Sequence, residues 1–158
     1  MQWLADVYRE NRRQLFLIAW GILRQPELAE DAVHTAFVGL ARLPRSPREP
    51  KPYAFRAVRN AAISLLSTRA RRREQPIDTA AYIAAAASAG PDDQPLEAVR
   101  LAIEQLDPPD REVIELHLQA GLTFQDVANL LGEPLATVTS RYRRALIKIR
   151  DRIEVHSG

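Results

Sequence analysis

Hydroxyl and guanidinium groups at helical spacing mark the C-terminal part of this chain. The stretch LTFQDVANLLGEPLATVTSRYRRALIKIR, which begins at Leu122, carries Thr137, Thr139, Ser140, Arg141, Arg143, Arg144 and Lys148. Between Pro134 and Arg150 there are five basic residues and no acid. Such side chains hydrogen-bond phosphate oxygens and base edges, and a small residue such as Ala136 lets a helix start approach a groove. The chemistry implied is nucleic-acid recognition. A solvated face of a small helical bundle shares this composition, so the elements that hold the face carry the decision.

Those elements read as a helix, a tight turn and a longer helix. Thr123 is placed to cap the first helix, with Asp126 three residues on in a capping-box-like pair. Phe124, Val127, Ala128 and Leu131 recur at helical spacing. Gly132 stops this helix and Pro134 helps start the next. In the second helix Val138, Tyr142, Ala145, Leu146, Ile149 and Ile153 form an inward stripe. Ala136, Thr137, Ser140, Arg143, Arg144 and Ile147 lie opposite, with Arg141 and Lys148 beside them. The pattern predicts a DNA-reading helix-turn-helix.

A second basic helix is predicted over residues 53–73, with Phe55, Val58, Ala62, Leu65 and Leu66 inward. Its other face carries Tyr53, Arg56, Asn60, Ser64, Ser67 and Arg71, flanked by Arg59. An aromatic ring, an amide and several guanidinium groups suit a single strand of nucleic acid, whose bases stack while Arg follows the phosphates. An ordinary amphipathic surface helix fits this segment equally well.

The remainder predicts an all-α chain of two small helical domains. Helices are expected over residues 2–24, burying Trp3, Val7, Leu15, Ile18 and Ile22, and 27–43, burying Leu28, Val33, Ala36, Phe37 and Leu40. Pro44, Pro47, Pro50 and Pro52 then enforce an extended loop rich in Arg and Lys. Residues 75–95 read as a flexible linker whose Ala-rich run, 80–89, has room for a short helix. This separates a domain at 1–74 from one at 96–158. In the latter, Leu96, Val99, Ile103 and Leu106 are helical, and Asp107-Pro108-Pro109 ends one helix and caps the next. Val113, Leu116 and Leu118 continue the pattern to Gly121.

The net charge of the 158 residues is only +2, but charge is segregated. Residues 53–73 hold six Arg and no acid, whereas 92–115 hold eight acids and two Arg. Residues 25–41 hold three acids and no Lys or Arg. This distribution implies basic faces for nucleic acid and acidic faces for a basic partner protein. The chain has no Cys, which excludes disulfides and thiol chemistry and fits a cytoplasmic location. His34, His117 and His156 stand in no metal or catalytic-triad spacing, and there is no Gly-rich phosphate loop. No enzyme, metal site or cofactor is expected. His117, between Leu116 and Leu118, reads as structural. No apolar run approaches the length of a membrane span, and MQWLADVYRENRR does not read as a secretory signal.

Taken together, the chain resembles the extracytoplasmic-function (ECF) class of bacterial RNA polymerase sigma factors. AEDAVHTAF, residues 29–37, is similar to that class's polymerase-binding segment, and PYAFRAVRN, residues 52–60, to the segment that melts and reads the −10 element. The segment from Leu106 to Arg150 is similar to the −35-reading domain, and this second match is the more specific. The chain departs from the family pattern in several places. His34 stands for a Gln, Tyr53 for a Trp, Ser64 for a frequent acid and Ala136 for a Gly. Thr139 stands where a basic residue is frequent. The loop at 43–52, which in the family holds a flipped −10 base, has four prolines and lacks the usual aromatic and Gly.

The resemblance implies a promoter-specificity subunit without chemistry of its own. Glu30, Asp31, His34 and Phe37 would meet core polymerase, and Tyr53, Arg56, Arg59 and Asn60 the melted non-template strand. Thr139, Ser140, Arg143 and Arg144 would face −35 bases, with Thr137, Arg141 and Lys148 nearer phosphates. An anti-sigma factor that holds the two domains together is a further partner implied by the class. The alternative is a helix-turn-helix regulator that acts without polymerase on a palindromic site. That reading leaves the first basic helix unexplained.

Overall fold

The computed structural model describes residues 1–71 and 94–157. The linker expected at 75–95, apart from its last two residues, and the short helix considered within it lie outside the described residues. Among the described residues the chain is helical throughout, with no strand. Three helices form the first domain: α1 (Gln2–Leu23), α2 (Pro26–Ala41) and α3 (Pro50–Arg71). The second holds α4 (Gln94–Glu104), α5 (Pro108–Ile114), α6 (Phe124–Leu131) and α7 (Leu135–Ser157).

Local chemistry sets most boundaries. Arg24 ends α1 in the left-handed region, φ 57°, with its N–H donating to Trp20 O at 2.8 Å. Left-handed geometry is costly for a residue with a Cβ. Pro26 then opens α2, where its missing donor costs nothing. The helix expected to begin at residue 53 begins at Pro50 instead. Pro50 and Pro52 lie within its first turn, whose N–H groups have no intrahelical acceptor, so prolines read as loop-forming are tolerated there.

Between α5 and Gly121 the backbone widens into a π-helical turn, Glu115–Gln119, where Ala120 N–H donates to Glu115 O at 3.0 Å. The extra residue in this turn shifts the helical phase of its side chains. Leu116 is buried while Leu118, expected inward, is 53% exposed. Leu66 and Leu146, also expected inward, are exposed as well. Each directly adjoins a better-placed inward residue, Leu65 and Ala145, and one residue turns a helix by about 100°.

The core crosses the domain boundary. Leu15, Ile18, Phe55 and Val58 from α1 and α3 belong to the same buried cluster as Val113, Leu122, Val127 and Val138 of the second domain. A smaller cluster, Ala102, Ile103, Leu106, Ile114, Ala145 and Ile149, joins α4 and α5 to α7. The first domain therefore packs directly on the helix-turn-helix unit.

Candidate nucleic-acid interface

The helix-turn-helix is built as its residues direct. Thr123 caps α6: its Oγ1 accepts from Asp126 N–H at 3.0 Å. The Asp126 carboxylate pairs with Lys51 of α3 at 3.3 Å. Gly132 closes α6 at φ 65°, a left-handed position that suits glycine, and Glu133 N–H donates to Ala128 O at 3.1 Å. Pro134 O accepts the first amides of α7, from Thr137 at 3.0 Å and Val138 at 3.2 Å. His117 has a structural place, as expected. Its Nδ1 lies 2.8 Å from Leu122 O, its ring stacks on Phe124 at 4.1 Å, and Tyr142 meets it edge-on at 5.0 Å.

The exposed side of α7 carries Ala136, Ser140, Arg143 and Arg144, with Thr137, Thr139, Arg141 and Lys148 half-buried at its margins. The expected DNA-facing residues are thus brought to one helix, but they are not equivalent. Ser140 and Arg143 point to solvent. Thr139 donates its hydroxyl to Ala136 O at 3.1 Å, which leaves the oxygen as an acceptor. Arg141 meets Glu133 at 3.5 Å. Arg144 is engaged twice by Asp110 of α5, with Nη2 at 2.8 Å and Nε at 3.1 Å. Lys148 reaches Asp107 at 3.2 Å and Asp110 at 3.5 Å. Asp107, expected as a side-chain cap, makes no cap hydrogen bond and serves Lys148 instead.

Asp110 is a buried carboxylate, so its charge needs these partners. The hydrogen bond from Arg144 holds its carboxyl below the ordinary 3.8, against the upward pull of burial. The same bond raises the Arg144 guanidinium. No sequence periodicity points to Asp110, which in the sequence is one acid within an acidic stretch.

On α3 the expected strand-facing residues divide. Tyr53, Arg56 and Asn60 are exposed. Tyr53 and Arg56 line a depression of about 470 Å³ with Pro47, Arg48, Glu49 and Pro52. Arg59 is half-buried and turns to the second domain, where its Nη2 and Nε lie 2.9 and 3.0 Å from Glu112 Oε1. Lys51, on the same helix, sits 5.6 Å from the centre of the Phe55 ring.

Of the expected polymerase contacts, Glu30, Asp31 and His34 are exposed and Phe37 is half-buried. Phe37 packs edge-on against Tyr8 at 5.4 Å. Glu30, His34 and Phe37 share a broad apolar groove of about 800 Å³ with Leu4, Tyr8, Arg12 and Phe16 of α1, while Asp31 lies outside it. Sequence reasoning missed the α1 wall. Its signal was an aromatic, Tyr8, off the inward stripe of the first helix.

Two family models match the chain. Residues 7–72 match the family model for sigma-70 region 2, and residues 96–149 match that for sigma-70, region 4. The chain belongs to the sigma-70 family. Region 2 runs over α1–α3 and region 4 over α4–α7, with the helix-turn-helix in the latter. Among curated sequences, the chain is 28% identical to the "Probable ECF RNA polymerase sigma factor SigI" of Mycobacterium tuberculosis, in strains CDC 1551 / Oshkosh and ATCC 25618 / H37Rv. The match takes in 94% of this chain and 54% of the relative, so the chain spans about half the length of the curated relatives it matches. Among solved structures, the fold is similar to that of the sigma factor RpoE, co-crystallised with the anti-sigma factor NepR, from Bartonella quintana. The TM-score is 0.62 at 20% identity, over 98% of this chain and 96% of the other. Among the described residues no helix is long and apolar enough to cross a membrane.

Proposed function

We propose that this sigma-70 family chain is a promoter-specificity subunit of bacterial RNA polymerase that works in the cytoplasm without catalysing a reaction. One observation carries the reading. Two helices, α3 and α7, each set Arg beside uncharged hydrogen-bonding groups on an exposed face, and they lie in regions 2 and 4 of one chain. Region 4 would place α7 in the major groove of the −35 element, with Ser140 and Arg143 at base edges and Thr137, Arg141 and Lys148 near phosphates. Region 2 would hold the melted −10 strand against Tyr53, Arg56 and Asn60, the ring stacking on a base. The groove between α1 and α2 would seat core polymerase, with Glu30, Asp31, His34 and Phe37 in or beside it. An anti-sigma factor is a further proposed partner, as NepR is for RpoE.

The test is transcription from a pool of random promoter sequences by core polymerase with and without the chain. Initiation at a shared −35/−10 pattern only when the chain is present supports the reading. No such pattern, together with protection of a palindromic duplex by the chain alone, would favour a polymerase-independent regulator.

A further inference from the structure

A cavity of about 280 Å³ lies where α1 and α3 of the first domain meet α5 and the π-helical turn of the second. That is the small end of ligand pockets, which hold about 300–1,000 Å³, are mostly apolar with a few polar groups, and favour domain contacts. Ile18 and Leu116 line it and are buried. Ile63 and Leu66 also line it and are 41% and 42% exposed, so its apolar wall continues out to solvent. Gly21 lines it from α1, where an added Cβ would meet Glu115 Oε2 at 3.4 Å. Glycine within a helix is unfavourable relative to alanine, and here it leaves the wall open. Arg59, Arg111, Glu112 and Glu115 supply the charge. Both acids are already paired, Glu112 with Arg59 and Glu115 with Arg24. Arg111, half-buried, is attracted to Glu115 but forms no ion pair among the described residues. A guanidinium is thus left over beside an apolar wall.

We propose that this cavity binds a small amphipathic carboxylate, its apolar body against Ile63 and Leu66 and its charge on Arg111. A guanidinium offers a carboxylate two parallel N–H donors, which fixes orientation as well as adding attraction. An apolar amine would meet Arg111 with like charge, and the acids that could attract it are already paired. An uncharged molecule would cover the apolar rim and leave Arg111 unengaged. A ligand touching both domains binds the folded chain and raises its stability by mass action. Tyr53, Arg56 and Asn60 of α3 and the exposed residues of α7 do not line the cavity, so the site stands whether or not those faces bind nucleic acid.

The full chain, isotope-labelled at its isoleucine methyls, is titrated by NMR with phenylbutyrate, with its amide and with phenylbutylamine. Phenylbutyrate should shift the methyls of Ile22 and Ile63, which line the cavity, saturably and with a Kd below about 1 mM. The amide and the amine should bind about tenfold more weakly. Arg111→Gln should bring the acid down to the amide's affinity, and amide binding unchanged from wild type shows that the variant keeps its fold. Ile63→Ser, a change at the exposed rim, should weaken acid and amide alike by about threefold, read at Ile22. Equal binding of acid, amide and amine would overturn the carboxylate assignment, as would an acid affinity unmoved by Arg111→Gln. Shifts at Ile147, exposed on α7, that run parallel to those at Ile63 would reduce the binding to surface association. No saturable shift up to about 10 mM would remove the site.

Discussion

Arg144 and Asp110 form a bidentate pair that staples α7 to α5, with the acid buried and the base at the surface. The guanidinium that looks best placed to read a base is therefore committed within its own domain. Arg143, one position earlier, is exposed.

Base preference should accordingly track Arg143 rather than Arg144. Arg143→Ala is expected to cost about 1–3 kcal/mol of −35 binding and to relax preference at one or two positions. Arg144→Ala should weaken all sites alike by loosening the helix. A binding selection from randomised −35 duplexes with each variant decides it. A preference changed by Arg144→Ala and unchanged by Arg143→Ala reverses the assignment.

Stability should depend on pH with opposite signs at the two buried acids. Asp110 has its carboxyl lowered from 3.8 chiefly by the Arg144 hydrogen bond. Its contribution is present above pH 3.8 and is lost as pH falls through the lowered value. Asp110→Asn should cost about 1–2 kcal/mol near neutrality. Its deficit relative to wild type should shrink on acidification below 3.8.

Glu115 behaves the other way. Burial raises its carboxyl above the ordinary 4.5, against the pull of Arg24. Its contribution is full below pH 4.5 and is lost as pH rises through the folded value. Glu115→Gln should therefore be tolerated at neutral pH, changing stability by less than about 1 kcal/mol, because the amide keeps the shape without the buried charge. Thermal unfolding of wild type and both variants across the acid range checks the two slopes together. Parallel curves for wild type and Glu115→Gln would refute this second sign.

Strand capture should depend on Tyr53. A ring stacked on an unpaired base contributes about 1–3 kcal/mol. Tyr53→Ala is expected to spare binding to duplex −35 DNA and to reduce open complex, read as lower permanganate reactivity of thymines near −10. Full reactivity would show that strand capture does not need the ring and would leave it to Arg48 and Arg56 of the same depression.

Polymerase association should require the α1 wall as well as α2. Tyr8→Ala removes the edge-on partner of Phe37 and is expected to weaken core binding about tenfold, comparably to charge reversal at Glu30. Asp31, outside the groove, should matter less. Titration of labelled core enzyme ranks the three variants, with circular dichroism confirming unchanged helicity.

What the sequence determined alone is the local architecture. Pattern and helix agree along most of the chain because helices are written in short-range signals. Thr123, Gly132 and Pro134 act within a few residues, and the apolar stripes repeat within one or two turns. The helix-turn-helix and both basic faces are legible for that reason. The exceptions are also local in scale. Pro50 and Pro52 read as loop because proline's exemption in a first helical turn depends on where that turn starts. Leu118 and Leu146 read as core because an apolar residue beside a stripe has no sequence mark of its outward phase.

Only the tertiary structure decided which guanidinium groups remain available. Arg59, Arg143 and Arg144 occupy similar places in their helical patterns. The acids that hold two of them are distant in sequence, Glu112 by 53 residues from Arg59 and Asp110 by 34 from Arg144. Coulomb attraction and hydrogen bonding depend on separation in space, which periodicity does not encode. The packing of the first domain on the helix-turn-helix has the same origin. Val113, Leu122, Val127 and Val138 are apolar in either domain's account of itself, and only folding assigns them to a core shared with Leu15 and Phe55.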